Sequence, residues 1–123
     1  MRLDAFEFYD GWLLLSIGNA KKGSTLEEII STGDHMNHAV FTIDELNYGM
    51  TKLIVNEYVV KKNNRFIWSE KAKMFYKTNR KLFEGCIEQL IRMSETLIKT
   101  QAKKDCVLVQ YFTQNDLDAA YNL

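Results

Sequence analysis

The chain has 123 residues, 46% hydrophobic and 26% charged, with 16 basic and 16 acidic residues and a net charge of zero. That length supports one hydrophobic core, and the neutral total excludes a uniformly basic nucleic-acid coat. No apolar run reaches membrane-spanning length, and the acidic start "MRLDAFEFYDGW" reads against a signal peptide, so a cytoplasmic protein without a membrane partner is expected. Cys86 and Cys106 lack metal-motif spacing and read as reduced thiols in the core.

In "DAFEFYDGWLLLSIGNA", Asp4 and Glu7 have N-cap and N3 spacing, and Phe6, Tyr9, Leu13 and Ile17 recur at helical intervals. This predicts a first helix from about Asp4 to Ile17, ended by Gly18 and Asn19. A second helix starts at the capping box of Thr25 and Glu28 and carries Leu26, Ile29, Ile30 and Met36. "HAVF" turns the chain, and Thr42 with Glu45 caps a third helix. Its inward stripe is Ile43, Leu46, Met50, Leu53 and Ile54, which leaves Asn47, Tyr48, Thr51 and Lys52 facing away or at the margins. "YVVKK" and "RFIWS" flank Asn63 and Asn64 and predict a hairpin, since Asn tolerates positive φ. A fourth helix follows Ser69 and runs to about Thr100, with Asn79 or Gly85 as a break or kink. "CVLVQYF" reads as a late strand and "TQNDLDAAYNL" as a short capped helix. The fold class expected is mainly α with a small β hairpin.

Charge is unevenly placed. From Val59 to Lys81 eight basic residues meet one acid, Glu70, giving +7 and leaving −7 for the rest. Such a segment makes a local positive surface that the total conceals.

"TLEEIIS", "FTIDELNYGMTKLIVNEYVV" and "NNRFIWSEKAK" together resemble winged helix-turn-helix domains of transcriptional-regulator type. Leu53, Tyr58 and Val59 match the exit from the third helix into the wing, and Ser69 matches the cap after it. Where such domains commonly carry glycine, this chain has Asn56 and Glu57 at the end of the third helix, of which Asn56 accepts a left-handed turn at modest cost, and Ala72 after the Ser69 cap. The resemblance covers roughly Asp4 to Lys77. It implies a winged-helix domain over residues 1–78 and a C-terminal extension over residues 79–123, loosely like PadR-type regulators, in which the long helix pairs with a partner's copy.

On that basis the DNA-contacting residues expected are Lys61, Lys62, Asn63, Asn64 and Arg65 on the wing and Lys71 and Lys73 on the fourth helix. Asn47, Tyr48, Thr51 and Lys52 are candidate base readers on the third, since Asn pairs with adenine in the major groove. Asp44 and Glu45 oppose that role, because carboxylates repel phosphate. The competing expectation is a winged-helix interaction module without DNA. The apolar stripe of the fourth helix predicts a homodimer with Phe83, Ile87, Leu90 and Leu97 at the contact. His35 and His38 beside Asp34 form no set of three or four converging ligands, so no metal is expected. No catalytic triad, phosphate-cradling glycine loop or paired-carboxylate pocket can be read, and an enzyme or cofactor is not expected. Nothing in the sequence points to an effector.

Overall fold

Apolar side chains surround the run "WLLLSI" on every side, so the helix that contains it must be enclosed by others. In the computed structural model, which describes residues 1–100 and 106–122, this helix is central. The order is α1 (Phe8–Ile17), α2 (Leu26–Asn37), α3 (Ile43–Val55), β1 (Val59–Lys62), β2 (Arg65–Trp68), α4 (Glu70–Asn79), α5 (Cys86–Lys99) and α6 (Gln114–Tyr121). Among the described residues the protein is therefore mainly helical with one two-stranded hairpin. Tyr9 to Ile17 are all buried, and α2, α3 and α5 pack around them.

Close helix approach depends on small residues. A Cβ on Gly11 would lie 2.7 Å from the Ser94 Cα, so α5 crosses α1 there almost backbone to backbone. Trp12 stacks on Phe41 with ring centres 3.7 Å apart, and its Nε1 donates to the Gly33 carbonyl at 3.0 Å, fixing α2 against α1. Trp68 Nε1 donates to the Leu14 carbonyl at 2.8 Å and anchors the hairpin to the same helix.

The hairpin pairs Val59 with Trp68 and Lys62 with Arg65, and Asn63 takes the positive φ of 58° at its tip. Ser24, just before α2, adds an antiparallel bridge to Phe66, with reciprocal N–H to carbonyl bonds of 2.9 Å. Thr25, Thr42 and Ser69 cap α2, α3 and α4 as expected.

Four expectations change and one is made specific. The first helix starts at Phe8, because Asp10 and not Glu7 supplies the returning carboxylate: its Oδ2 accepts from the Glu7 N–H at 2.7 Å, while Asp4 pairs with Arg2. The left-handed residue after α3 is Glu57, at φ 67°, and Asn56 stays at φ −88°. The Tyr58 N–H then bonds the Leu53 carbonyl and the Glu57 N–H that of Ile54, which closes the helix. The break expected at Asn79 or Gly85 spans the residues between them, 80–85, and divides the fourth helix into α4 and α5. Asn79 folds its amide back to the Phe75 carbonyl, Arg92 holds the Asn79 carbonyl and Glu84, and α5 returns to α1. "CVLVQYF" has no regular secondary structure and joins no ladder among the described residues; at Val109 and Phe112 its main-chain groups bond side chains of α3. Cys86 is exposed at the first turn of α5 and Cys106 is half-buried, so neither belongs to the core.

Gly11→Ala should separate α1 from α5 and lower stability by about 1–3 kcal/mol, the usual cost of forced overpacking. Chemical denaturation monitored by tryptophan fluorescence measures it, and an unchanged midpoint would contradict the crossing.

Candidate nucleic-acid interface

The hairpin and its tip present four consecutive exposed side chains, Lys61, Lys62, Asn63 and Asn64. Lys61 Nζ donates to the Asn63 carbonyl at 2.6 Å, which folds it over the tip. Arg65 is turned away from the tip: its Nη1 donates to the Gly23 carbonyl at 3.1 Å and to Glu28 at 3.2 Å. The Thr25 backbone N–H and hydroxyl, and then Arg65, hold the Glu28 carboxyl below its ordinary range. Lys71 is also engaged, with Nζ 2.8 Å from the Asn56 carbonyl at the end of α3 and 4.4 Å from the centre of the Tyr58 ring. Lys73 pairs with Glu70 at 3.2 Å. Lys77, Arg80 and Lys81 lie beyond it, and all three are exposed.

The third helix differs from its expected orientation. Asn47, Thr51 and Lys52 are buried and Tyr48 is half-buried. Two different partners cause this. On one side the segment from Cys106 to Thr113, with α6 after it, lies along α3 as a C-terminal arm. Asn47 Nδ2 donates to the Phe112 carbonyl and Oδ1 accepts from the Phe112 N–H, both at 3.0 Å. One turn later Thr51 Oγ1 accepts from the Val109 N–H at 3.1 Å and donates to the Val109 carbonyl at 3.3 Å. Phe112 is buried against Phe66, with ring centres 5.4 Å apart, so the arm also touches the hairpin. An open groove of about 340 Å³ remains between arm, hairpin and the start of α2, lined by Thr25, Glu27, Lys61, Phe66, Tyr111 and Asp116. It thus combines two carboxylates with one lysine of the hairpin.

On the other side Lys52 points at α1. Its ammonium lies 2.6 Å from Asp10 Oδ2 and donates to the Tyr9 hydroxyl and the Ala5 carbonyl, each at 3.0 Å. Both side chains of the ion pair are fully buried. Asp10 Oδ1 makes no hydrogen bond among the described residues. Burial pushes the Asp10 carboxyl up to about 6 even though Lys52 opposes the shift. Burial and the neighbouring carboxylates of Asp10 and Glu7 also push the Tyr9 hydroxyl up. The sequence carried a signal for this pair, since Asp10 and Lys52 are each set inside apolar runs, "FYDGWLLL" and "MTKLIV".

The residues expected at a dimer contact divide. Leu90 and Leu97 are buried within the chain, together with Met93 and Ser94, because they face α1. Phe83 and Ile87 are exposed, and Ile91 and Ile98 continue Ile87's exposed stripe along α5. Phe83 lies before α5 with φ at 63°. Among the described residues no group of three or more His, Cys, Asp and Glu could hold a metal ion, and no helix is long and apolar enough to cross a membrane. Comparison with protein-family models, curated proteins and solved structures gives no match for this chain.

Lys52→Met should cost about 3–5 kcal/mol at neutral pH, because it strands a buried carboxylate. Its pH dependence has a definite sign. An acid whose folded pKa exceeds its unfolded value stabilises the fold below the unfolded pKa and loses that contribution as pH rises through the folded one. For Asp10 the window opens near its ordinary value of 3.8 and closes near 6, and loss of Lys52 extends it upward. The variant should therefore regain stability as pH is lowered from 8 towards 5, relative to the unmodified protein, in thermal melts across that range. Asp10→Asn/Lys52→Met should recover most of the loss at pH 7; a double variant as weak as the single one would show that packing of Lys52, not its charge, matters.

Proposed function

We propose that this chain is a winged-helix protein that holds duplex DNA through its wing and the basic stretch after it, as a homodimeric regulator. The order of three helices, hairpin and helix supports the fold, as does the antiparallel bridge that ties Ser24, just before α2, to Phe66 of the hairpin. The observation that carries the DNA reading is the exposed tip of Lys61, Lys62, Asn63 and Asn64, with Lys73, Lys77 and Lys81 exposed beyond it. Phosphate contacts of this kind position a protein without reading sequence. Arg65, Lys71 and Lys52 are left out of the contact, because each is engaged inside the fold.

Lys61→Ala/Lys62→Ala should weaken binding to all duplex sequences about equally. The slope of log affinity against log salt should fall by roughly 0.9 for each phosphate no longer neutralised. Absence of duplex binding by the unmodified protein at low salt would end this reading. It would favour the second one, an interaction module, which the engagement of Asn47 and Thr51 by the arm supports.

The homodimer rests on the outer face of α5. Ile87, Ile91 and Ile98 lie in one row along that helix, roughly a quarter turn from the buried row of Leu90, Met93 and Leu97, and Leu82 and Phe83 are exposed just before it. An aromatic residue at positive φ with its ring wholly in solvent is strained with no packing in its own chain to offset it. A second copy on this face would remove apolar surface from water at roughly 25 cal/mol per Å². Ile87→Glu/Ile91→Glu should leave helix content intact and halve the mass seen by light scattering. An unmodified protein that is already monomeric at tens of micromolar would remove the dimer from the proposal.

A further inference from the structure

Asn47 and Thr51 sit four residues apart on α3 and hold a main chain, not side chains. The Asn47 amide offers one donor and one acceptor as a fork. The Phe112 N–H and carbonyl fill both prongs at 3.0 Å. The same fork, with the same polarity, pairs with the N7 acceptor and N6 donor of adenine in a major groove. Thr51 repeats the arrangement on Val109 one turn along. The arm thus satisfies on α3 the hydrogen-bonding groups that a base edge would satisfy.

The arm is also lightly held along part of its length. Val107, Leu108 and Val109 are exposed, and the segment joins no ladder. Its anchors are Phe112 and, less buried, Tyr111 against Phe66, and Leu117 and Ala120 of α6, which packs on α2. Segments with few buried apolar contacts open more readily than the core they cover.

We propose that the C-terminal arm is an intramolecular competitor of DNA. Its main chain occupies Asn47 and Thr51 in the closed state, and its release gives the protein an adenine-reading third helix beside the wing. This rests on the DNA reading above. With the arm closed, binding is by the wing alone and indifferent to sequence. With it open, the wing and the amide of Asn47 act together. The apparent affinity of the closed protein is lowered by the fraction of time the arm is open.

The test uses the full chain and mixed-sequence duplexes, one set rich in A·T and one in G·C, at fixed low salt. Phe112→Ala removes the arm's anchor on the wing without altering α3. It should raise affinity for the A·T-rich set roughly tenfold or more, and adding Asn47→Ala to it should abolish that gain. A second measurement needs no variant: amide exchange at Val109 and Phe112 of the unmodified protein should accelerate when duplex is added. This decides the matter if Phe112→Ala does not fold. Binding of the unmodified protein with unchanged or slower exchange, or equal affinity in the folded variant, overturns the competitor and leaves wing binding intact. No duplex binding by either protein overturns the DNA reading and the competitor together.

Discussion

The Asp10–Lys52 ion pair fixes which way the third helix faces. A Lys and an Asp taken fully out of water each carry a large desolvation cost, which only their contact with each other offsets. The bond therefore locks α3 to α1 in one rotation. Lys52 further reaches the Ala5 carbonyl and the Tyr9 hydroxyl, so the N-terminal segment is tied to the same point. With Lys52 inward, Asn47 and Thr51 are carried to a different side of the helix, where they meet the arm. The pair does not need to add net stability to do this. Its value lies in the penalty for any alternative rotation, which would leave two buried charges unpaired.

That rotation makes α3 a helix with two covered sides. Leu46, Met50 and Leu53 belong to the core, Lys52 belongs to α1, and Asn47 and Thr51 belong to the arm. Asp44 stays at its first turn, outside the core. Positive charge is concentrated instead on the hairpin tip and on the stretch from Lys73 to Lys81. The local positive field thus lies on the hairpin tip and the stretch after it and not on α3, although the chain as a whole is neutral.

The two apolar faces of α5 separate for a related reason. The break over residues 80–85 lets the helix turn back, and Gly11 allows it to come within backbone distance of α1. Leu90, Met93 and Leu97 are consumed by that contact. What remains outside is the narrower row of Ile87, Ile91 and Ile98, with Phe83 held in a left-handed turn before it.

Local chemistry was legible from the sequence. Thr25, Thr42 and Ser69 marked helix starts because each places an oxygen over unpaired amides, and Asn63 and Asn64 marked the turn because Asn accepts positive φ. The three- and four-residue rhythm placed Leu46, Met50 and Leu53 in the core. The mainly helical class with one hairpin followed from these signals alone. Tertiary structure decided the rest. Periodicity ranks side chains by polarity, so Asn47, Thr51 and Lys52 read as outward, and only a buried acid on α1 and a main chain from over fifty residues away could draw them in. The same limit applied to Leu90 and Leu97, whose apolar stripe states that something covers it and not which chain does. Side-chain pattern is a property of one segment. Which surface meets it depends on segments far away in sequence, and that information exists only once they have packed.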